Sequence, residues 1–509
     1  MAKNVLCGKM NISDGKIKLI QCQVDAMVET SRYLCILLGE IFSPYTFQPI
    51  SCSYILSQYK ILGTDVLKEI DGLFTLLLYD KENNNLVIMQ DPTSSKNTIY
   101  YTQIDEFFFF STELKSLLYY SGITRSVNQS VLPCLVRNFC VMNTETLVNG
   151  VLKIMPKTFL QVNRHGVRIF STTPCTIASE TADSGTLQAI LKDYLRMFVS
   201  NQPDKAIHMA LSSGYDSNLI LSQVATLSDV QLHGYTIGST YAGNEIPAVQ
   251  KIAKHYNNLN LHSYEVGSDS FQDLADLEWR LESAVHENGV VLQYYLAKIA
   301  SINDCAHILC GETADEIMYS AYEEESCGCN MEQFSRSRIP FFQNPFFSAN
   351  LVVLKKSSIM LNSFGVTAHY PFKNKRFISF GQTIASKNQD QKTAYKDLCG
   401  ELIQPKVYKA LSSLGGATDP RALLNTDRVE YFSKKIQHSK FGNHFMWCNT
   451  PAQTLVKLCF EPTKQGFELA SDILSGVCLL LFDELFLSGK YDSEFFHDEI
   501  NAVTSDIFR

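Results

Sequence analysis

The first 170 or so residues run in short apolar stretches: IKLIQCQV, YLCILLGEI, LFTLLLYD, NLVIMQD, TIYYTQ, EFFFFSTE and VLKIMPKTFLQV. Turns bearing Asn, Gly or Asp, such as KENNN, part them, which is the pattern of strands and hairpins. Between them, Cys52–Ile70 and Ser111–Tyr120 have helical spacing instead. Strands with few helices between them predict an α+β sandwich. Ser171–Gly185, STTPCTIASETADSG, is small, polar and turn-prone, and divides the chain into a domain of residues 1–175 and another of residues 186–509. Past it the rhythm changes. Thr186–Ser200 is spaced as a helix, followed by strand HMALSSG, helix Leu219–Leu227, strand HGYTIGS, helix Glu245–Tyr256 and strand NLHSYEV. This alternation predicts an α/β domain with a doubly wound parallel sheet, whose ligands sit at the C-terminal ends of the strands. The last stretch, roughly 90 residues, reads as a helical tail without a motif.

Two turns fall where such a sheet binds its ligands. In Ala210–Ile220, ALSSGYDSNLI, an apolar run enters a turn of small residues with one carboxylate and leaves it as a helix. Small residues let backbone N–H groups approach an anion, and the helix adds its N-terminus. Leu211, Ser212, Ser213, Gly214, Asp216 and Ser217 thus form a candidate polyphosphate loop with a place for Mg²⁺. In His307–Tyr322, HILCGETADEIMYSAY, an apolar strand enters Gly311-Glu312-Thr313-Ala314-Asp315-Glu316. Taken alone, either turn also reads as an ordinary capped helix start. Both in one domain favour a phosphate and metal site, with Gly311 on the nucleotide and Asp216 and Asp315 on the metal.

Composition narrows the classes. A charged fraction of 19% with 45% hydrophobic residues is that of a globular chain, and a net charge of -8 argues against wrapping nucleic acid. The 15 cysteines are scattered singly without zinc spacing, which suits buried thiols in a reducing compartment. The start of the chain has no apolar signal-peptide core, and the Phe107–Phe110 run is too short to span a bilayer. These features predict a soluble, cytoplasmic protein without membrane or nucleic-acid partners.

The order of segments resembles the asparagine synthetase superfamily from about Leu37 to Gly416. GEIFSPYTF, GTDVLKEIDGLFTLLLYDKENNNLVIMQD and TIYYTQIDEFFFFSTELKSLL are similar to segments of its glutaminase domain, an Ntn-hydrolase-like sandwich. SSGYDS and GETADE resemble the SGGxDS pyrophosphate loop and the GEGSDE loop of its synthetase domain. Phe364–Phe377, FGVTAHYPFKNKRF, and Gln391–Gly416 resemble two further segments, the latter placing Lys409 on the family's active-site lysine. The resemblance implies ATP and Mg²⁺ as cofactors, adenylation of a carboxylate with release of pyrophosphate, and attack by an amine. Glu312 would take a proton from, or orient, the amine, and Lys409 would neutralise the charge that develops. Departures are Ser213 for the first loop glycine, and PFKN (with Lys373 and Asn374) for PFLD.

The glutaminase parts are absent from this pattern. The family uses an N-terminal Cys as nucleophile; here residue 2 is Ala, and Cys7-Gly8 would be an N-terminal pair only after removal of a propeptide. Leu38 stands in place of the oxyanion-hole Asn, and the Arg that grips glutamine has no counterpart. An inactive glutaminase implies an amine carried by the substrate. Two branches fit: lasso-peptide macrolactam cyclases, favoured by the shortened N-terminus and Glu312, and β-lactam synthetases. The first implies a peptide substrate carrying both carboxylate and amine, with a precursor-peptide protease or leader-binding protein as partner. A small-molecule amide synthetase, a glutamine-dependent asparagine synthetase and a catalytically weak pseudoenzyme subunit are the alternatives. Gly289–Ser301 and Ser320–Pro345 are expected to shape the acceptor pocket, the second as a mobile loop.

Overall fold

A computed structural model describes residues 5–91, 96–138, 140–141, 143–172, 180–202, 206–227, 230–241, 244–284, 289–314, 317, 354–387, 391–404 and 419–490. The first eleven strands are β1 (Leu6–Asn11), β2 (Ile17–Cys22), β3 (Ala26–Glu29), β4 (Tyr33–Phe42), β5 (Asp71–Asp80), β6 (Asn85–Gln90), β7 (Tyr100–Ile104), β8 (Phe107–Ser111), β9 (Leu152–Lys153), β10 (Thr158–Asn163) and β11 (Gly166–Ser171). They form two antiparallel sheets, β2-β1-β8-β7-β9 and β11-β10-β6-β5-β4-β3. The KENNN turn between β5 and β6 works through Asp80, which accepts from the N–H groups of Glu82 and Asn83, and through Asn84 at φ 50°.

The Phe107–Phe110 run shows how the layers stack. Phe108 and Phe110 fill the sandwich core with Ile36, Leu38 and Leu160, while Phe109 faces a second core on the opposite side of the sheet. Side chains alternate along a strand, so an unbroken Phe run fits a strand buried on both faces. The outer face of the six-stranded sheet packs on helix α1 (Cys52–Leu62) through Ile55 and Leu56. Helical spacing predicts that helix as far as Ile70, but it stops at Gly63, φ 58°, and continues as a 3-10 turn over Gly63–Lys68. Helix α2 (Leu114–Ser121) begins three residues after the expected Ser111, which is the last residue of β8.

Helices α3 (Leu132–Asn138) and α4 (Ser184–Ser200) lead to the second half of the chain; Asp183 caps α4 through the Thr186 N–H. Five parallel strands follow: β12 (Ala206–Ala210), β13 (Gln231–Ser239), β14 (Leu259–Val266), β15 (His307–Leu309) and β16 (Thr367–His369). Their order is β14-β13-β12-β15-β16. Chain direction across the sheet therefore reverses between β12 and β15, the point where such sheets open a crevice at their carboxyl ends. Helices α5 (Tyr215–Val224), α6 (Ile246–Ala253), α7 (Leu274–Leu281) and α8 (Val290–Ile302) connect these strands or cover their faces.

The C-terminal residues are less of a tail than their sequence suggests. Helices Thr426–Gln437, Ala452–Cys459 and Lys464–Phe482 bury Val429, Phe432, Leu455, Ile473 and Val477 in the core that also holds Trp279 of α7, Tyr294 of α8 and Leu117 of α2. Among the described residues, no helix is long and apolar enough to cross a membrane.

The two halves meet through buried polar contacts. Lys373 Nζ donates to Asp91 Oδ1 at 2.7 Å and to the Gly72 carbonyl at 2.8 Å, with both charged side chains buried. The Lys375 N–H donates to Asp71 Oδ2 at 2.8 Å. Asn374 accepts from the Phe377 N–H, starting helix Lys375–Lys387. Lys373 and Asn374 of PFKN thus hold the domain contact and a helix start.

Candidate active site

The loop Leu211–Gly214 leaves the carboxyl end of β12, and the segment Cys310–Glu312 leaves that of β15 next to it. They touch. A Cβ on Gly311 would stand 3.1 Å from Ser217 N and 3.3 Å from Asp216 Cβ, so only glycine fits this approach without a shift. Leu211 is buried and its N–H donates to the Tyr235 carbonyl, anchoring the loop to β13.

The loop is held by its own hydroxyls. Ser212 N–H donates to Ser217 Oγ at 3.1 Å, the two hydroxyls lie 3.0 Å apart, and Gly214 N–H donates to Ser212 Oγ at 3.1 Å. Asn218 Nδ2 donates to the Ser212 and Gly214 carbonyls. Ser213 N–H, at the position of the missing family glycine, donates to Glu245 Oε2 at 2.9 Å. Glu245 stands at the start of α6 and is turned away from capping it. One backbone N–H of the loop is thus already donated to a carboxylate oxygen.

Asp216 lies in the first turn of α5, and its Oδ1 accepts from Tyr395 Oη at 2.9 Å. Burial, then the adjacent Asp216 carboxylate, pushes the Tyr395 hydroxyl well above its ordinary range, so it stays a donor. Across the crevice, Gln293 Nε2 of α8 donates to Glu312 Oε1 at 2.8 Å. Burial raises the Glu312 carboxyl above its ordinary value, and the Gln293 hydrogen bond opposes the rise. Thr313 follows at φ 83°, a left-handed backbone rare for a β-branched residue.

The structure therefore brings together Leu211, Ser212, Ser213, Gly214, Asp216, Ser217, Gly311 and Glu312. Asp315, Lys409 and the stretch Ser320–Pro345 lie outside the described residues, as do residues 173–179 in the middle of the predicted boundary. Three contact residues stand outside the two loop motifs. Gln293 belongs to Gly289–Ser301, whose apolar pattern marks a buried helix but not which residue turns inward. Tyr395 and Glu245 come from other helices, and no spacing rule links them to residues 213–216.

In the N-terminal half, Cys7 lies inside β1, paired to Gln21 on one side and Ser111 on the other. Its nitrogen is a peptide nitrogen. Burial pushes its thiol up to about 12, where little thiolate forms at neutral pH. Leu38 is buried in the sandwich core and offers no side-chain donor.

Comparison with known proteins agrees with this architecture. Residues 45–173 match the glutamine amidotransferase domain model, and residues 191–349 match the asparagine synthase model. The chain is 24% identical over 314 residues to asparagine synthetase [glutamine-hydrolyzing] 1 of Bacillus subtilis, covering 58% of this chain and 49% of that protein. It is 22% identical over 341 residues to a putative asparagine synthetase of Methanocaldococcus jannaschii, covering 63% and 65%. A putative asparagine synthetase of Mycobacterium tuberculosis is 24% identical over 284 residues, covering 53% and 43%. The chain spans about half the length of the curated relatives it matches. Among solved structures, glutamine phosphoribosylpyrophosphate amidotransferase from B. subtilis aligns over 76% of this chain and 88% of its own at 9% identity, but a TM-score of 0.22 carries no weight. Both domain models thus match in the order in which the sequence resembles the asparagine synthetase superfamily, and asparagine synthetases are among its relatives at 22–24% identity.

Proposed function

We propose that the protein is an ATP-dependent amide-forming ligase that adenylates a substrate carboxylate, releasing pyrophosphate, and joins it to an amine of the substrate. The contact of Gly311 with Ser217 carries this reading, because it sets Glu312 beside the loop at the switch point of the sheet. Ser212, Ser213, Gly214 and Ser217 would bind the β- and γ-phosphates through N–H groups and hydroxyls, with the Glu245 carboxylate leaving as the nucleotide enters. Asp216 and Asp315 would hold Mg²⁺, which supplies charge neutralisation on the phosphates. Glu312, held by Gln293, would accept the proton of the attacking amine, and Lys409 would meet charge on the leaving phosphate.

Because Cys7 is a buried strand residue and Leu38 replaces an oxyanion donor, ammonia from glutamine is the poorer choice of nucleophile. The substrate would carry its own amine, and ring closure of a precursor peptide into a macrolactam is the preferred form of the reaction. Closure of a β-lactam is the small-molecule form. To test this, the full chain is incubated with Mg²⁺–ATP and either a peptide bearing an N-terminal amine and an Asp or Glu side chain, or a β-amino acid. AMP, pyrophosphate and a product lighter by one water support the reading. ADP and phosphate with an open product count against it. A nucleotide-free subunit is the second reading, favoured by the Glu245 carboxylate on Ser213 N–H; nucleotide binding separates the two.

A further inference from the structure

Three strands from both halves of the chain bring two imidazoles and a carboxylate together behind the Gly311 loop. Glu40 stands near the end of β4 in the N-terminal sandwich, while His307 and His369 stand on the neighbouring parallel strands β15 and β16. His307 Nδ1 lies 3.0 Å from His369 Nε2, and His369 Nδ1 lies 3.6 Å from Glu40 Oε2. One ligand atom from each of the three residues lies within 4.8 Å of the others. His369 is buried, edge-on to Phe198, and its carbonyl accepts from the Cys310 N–H.

We propose that Glu40, His307 and His369 bind one divalent first-row transition-metal ion and that this ion ties the N-terminal sandwich to the parallel-sheet domain. Two imidazoles with one carboxylate are the donor set of Zn²⁺, Co²⁺ or Fe²⁺, and not of Mg²⁺. Ligands about 2.1 Å from a common ion stand roughly 3 Å apart in an octahedron and roughly 3.4 Å apart in a tetrahedron, and the two facing imidazole nitrogens, hydrogen-bonded at 3.0 Å, need at most a small shift to reach either. The 3.6 Å separation of His369 Nδ1 and Glu40 Oε2 is too long for a hydrogen bond but within ion-pair range, so the carboxylate already lies beside the imidazole. Glu40 is about half exposed and can swing to close the set, whichever nitrogen His369 presents. Lys96 and Asp25 face the same cluster, and Lys96 is the basic group an incoming ion must oppose.

The test uses the full chain, stripped with a chelator and titrated with Co²⁺ while bound metal, the visible absorption spectrum and the melting temperature are followed. One equivalent should bind with nitrogen and oxygen ligands, and melting should rise as the ion selects the native form. His307→Gln should lose that equivalent and Glu40→Gln should weaken it about tenfold, while Lys96→Met should tighten it. Glu40 is half exposed, so its variant keeps the test valid should a histidine variant fold poorly. Unchanged stoichiometry and affinity in Glu40→Gln and His307→Gln, no uptake by the wild type, or a thiolate spectrum from the cysteines would overturn the proposal. The readout needs no turnover, so it stands or falls apart from the ligase reading.

Discussion

Gly311 packs against Ser217: a Cβ at residue 311 would lie 3.1 Å from the Ser217 nitrogen and 3.4 Å from the carbonyl carbon of Asp216. The partners are two backbone atoms and the Asp216 Cβ at the start of a helix, and none moves away cheaply. Gly311→Ala should push the two loops apart and cost about 1–3 kcal/mol at the contact. The expected result is at least a roughly tenfold weaker affinity for Mg²⁺–ATP, read by titration calorimetry, with the fold intact by circular dichroism.

Gln293 is one of the groups that favour the ionised form of Glu312. Burial raises its carboxyl, and the hydrogen bond from Gln293 Nε2 pulls the other way. Removing that donor in Gln293→Leu leaves the carboxylate less favoured and raises the pKa further. With Glu312 as the base of the proposed reaction, which acts ionised, the acid limb of the pH–rate profile should move to higher pH. Glu312→Gln should remove the limb together with most of the rate.

Glu282 joins the halves of the chain. Its carboxylate accepts from the N–H groups of Leu114 and Lys115, at 2.7 and 3.1 Å, and from Lys115 Nζ at 2.8 Å. A glutamate following α7 thus caps a helix of the sandwich. Glu282→Ala would remove the acceptor of two α2 N–H groups and leave the Lys115 ammonium with Glu113 alone, and should cost about 2 kcal/mol. Equilibrium denaturation in urea measures the loss, and Glu282→Gln should recover part of it.

Glu278 makes stability depend on pH. It is fully buried in α7, accepts from the Ala284 N–H, and burial pushes its carboxyl to about 8 from an ordinary 4.5. The folded state therefore holds a proton that the unfolded state gives up. This group's contribution is greatest below 4.5 and is lost as pH rises toward 8, at up to about 1.4 kcal/mol per unit. Glu278→Gln should melt close to wild type at about pH 5 and above it at about pH 9. Parallel melting curves across that range would show that the carboxyl does not hold its proton.

The layers are legible in the chain because burial writes them into its periodicity. The alternating strands predict the sandwich, and strand–helix alternation predicts the parallel sheet, whose order places SSGYDS and the start of GETADE side by side. Local rules miss side chains that reach across the fold. Lys373 looks like a departure within PFKN until Asp91 is found opposite it. Gln293 looks like one polar residue on an apolar helix, and Glu245 like a helix start. Each acquires its meaning from a partner distant in sequence, which hydrophobic spacing does not encode.

Nucleotide affinity of the wild type and of Asp216→Ala tests the central claim most directly. Calorimetric titration of the full chain with Mg²⁺–ATP should give one site for the wild type and an affinity at least roughly tenfold lower for the variant. No binding by the wild type, or equal affinity in the two, would contradict an ATP site at the junction of these loops.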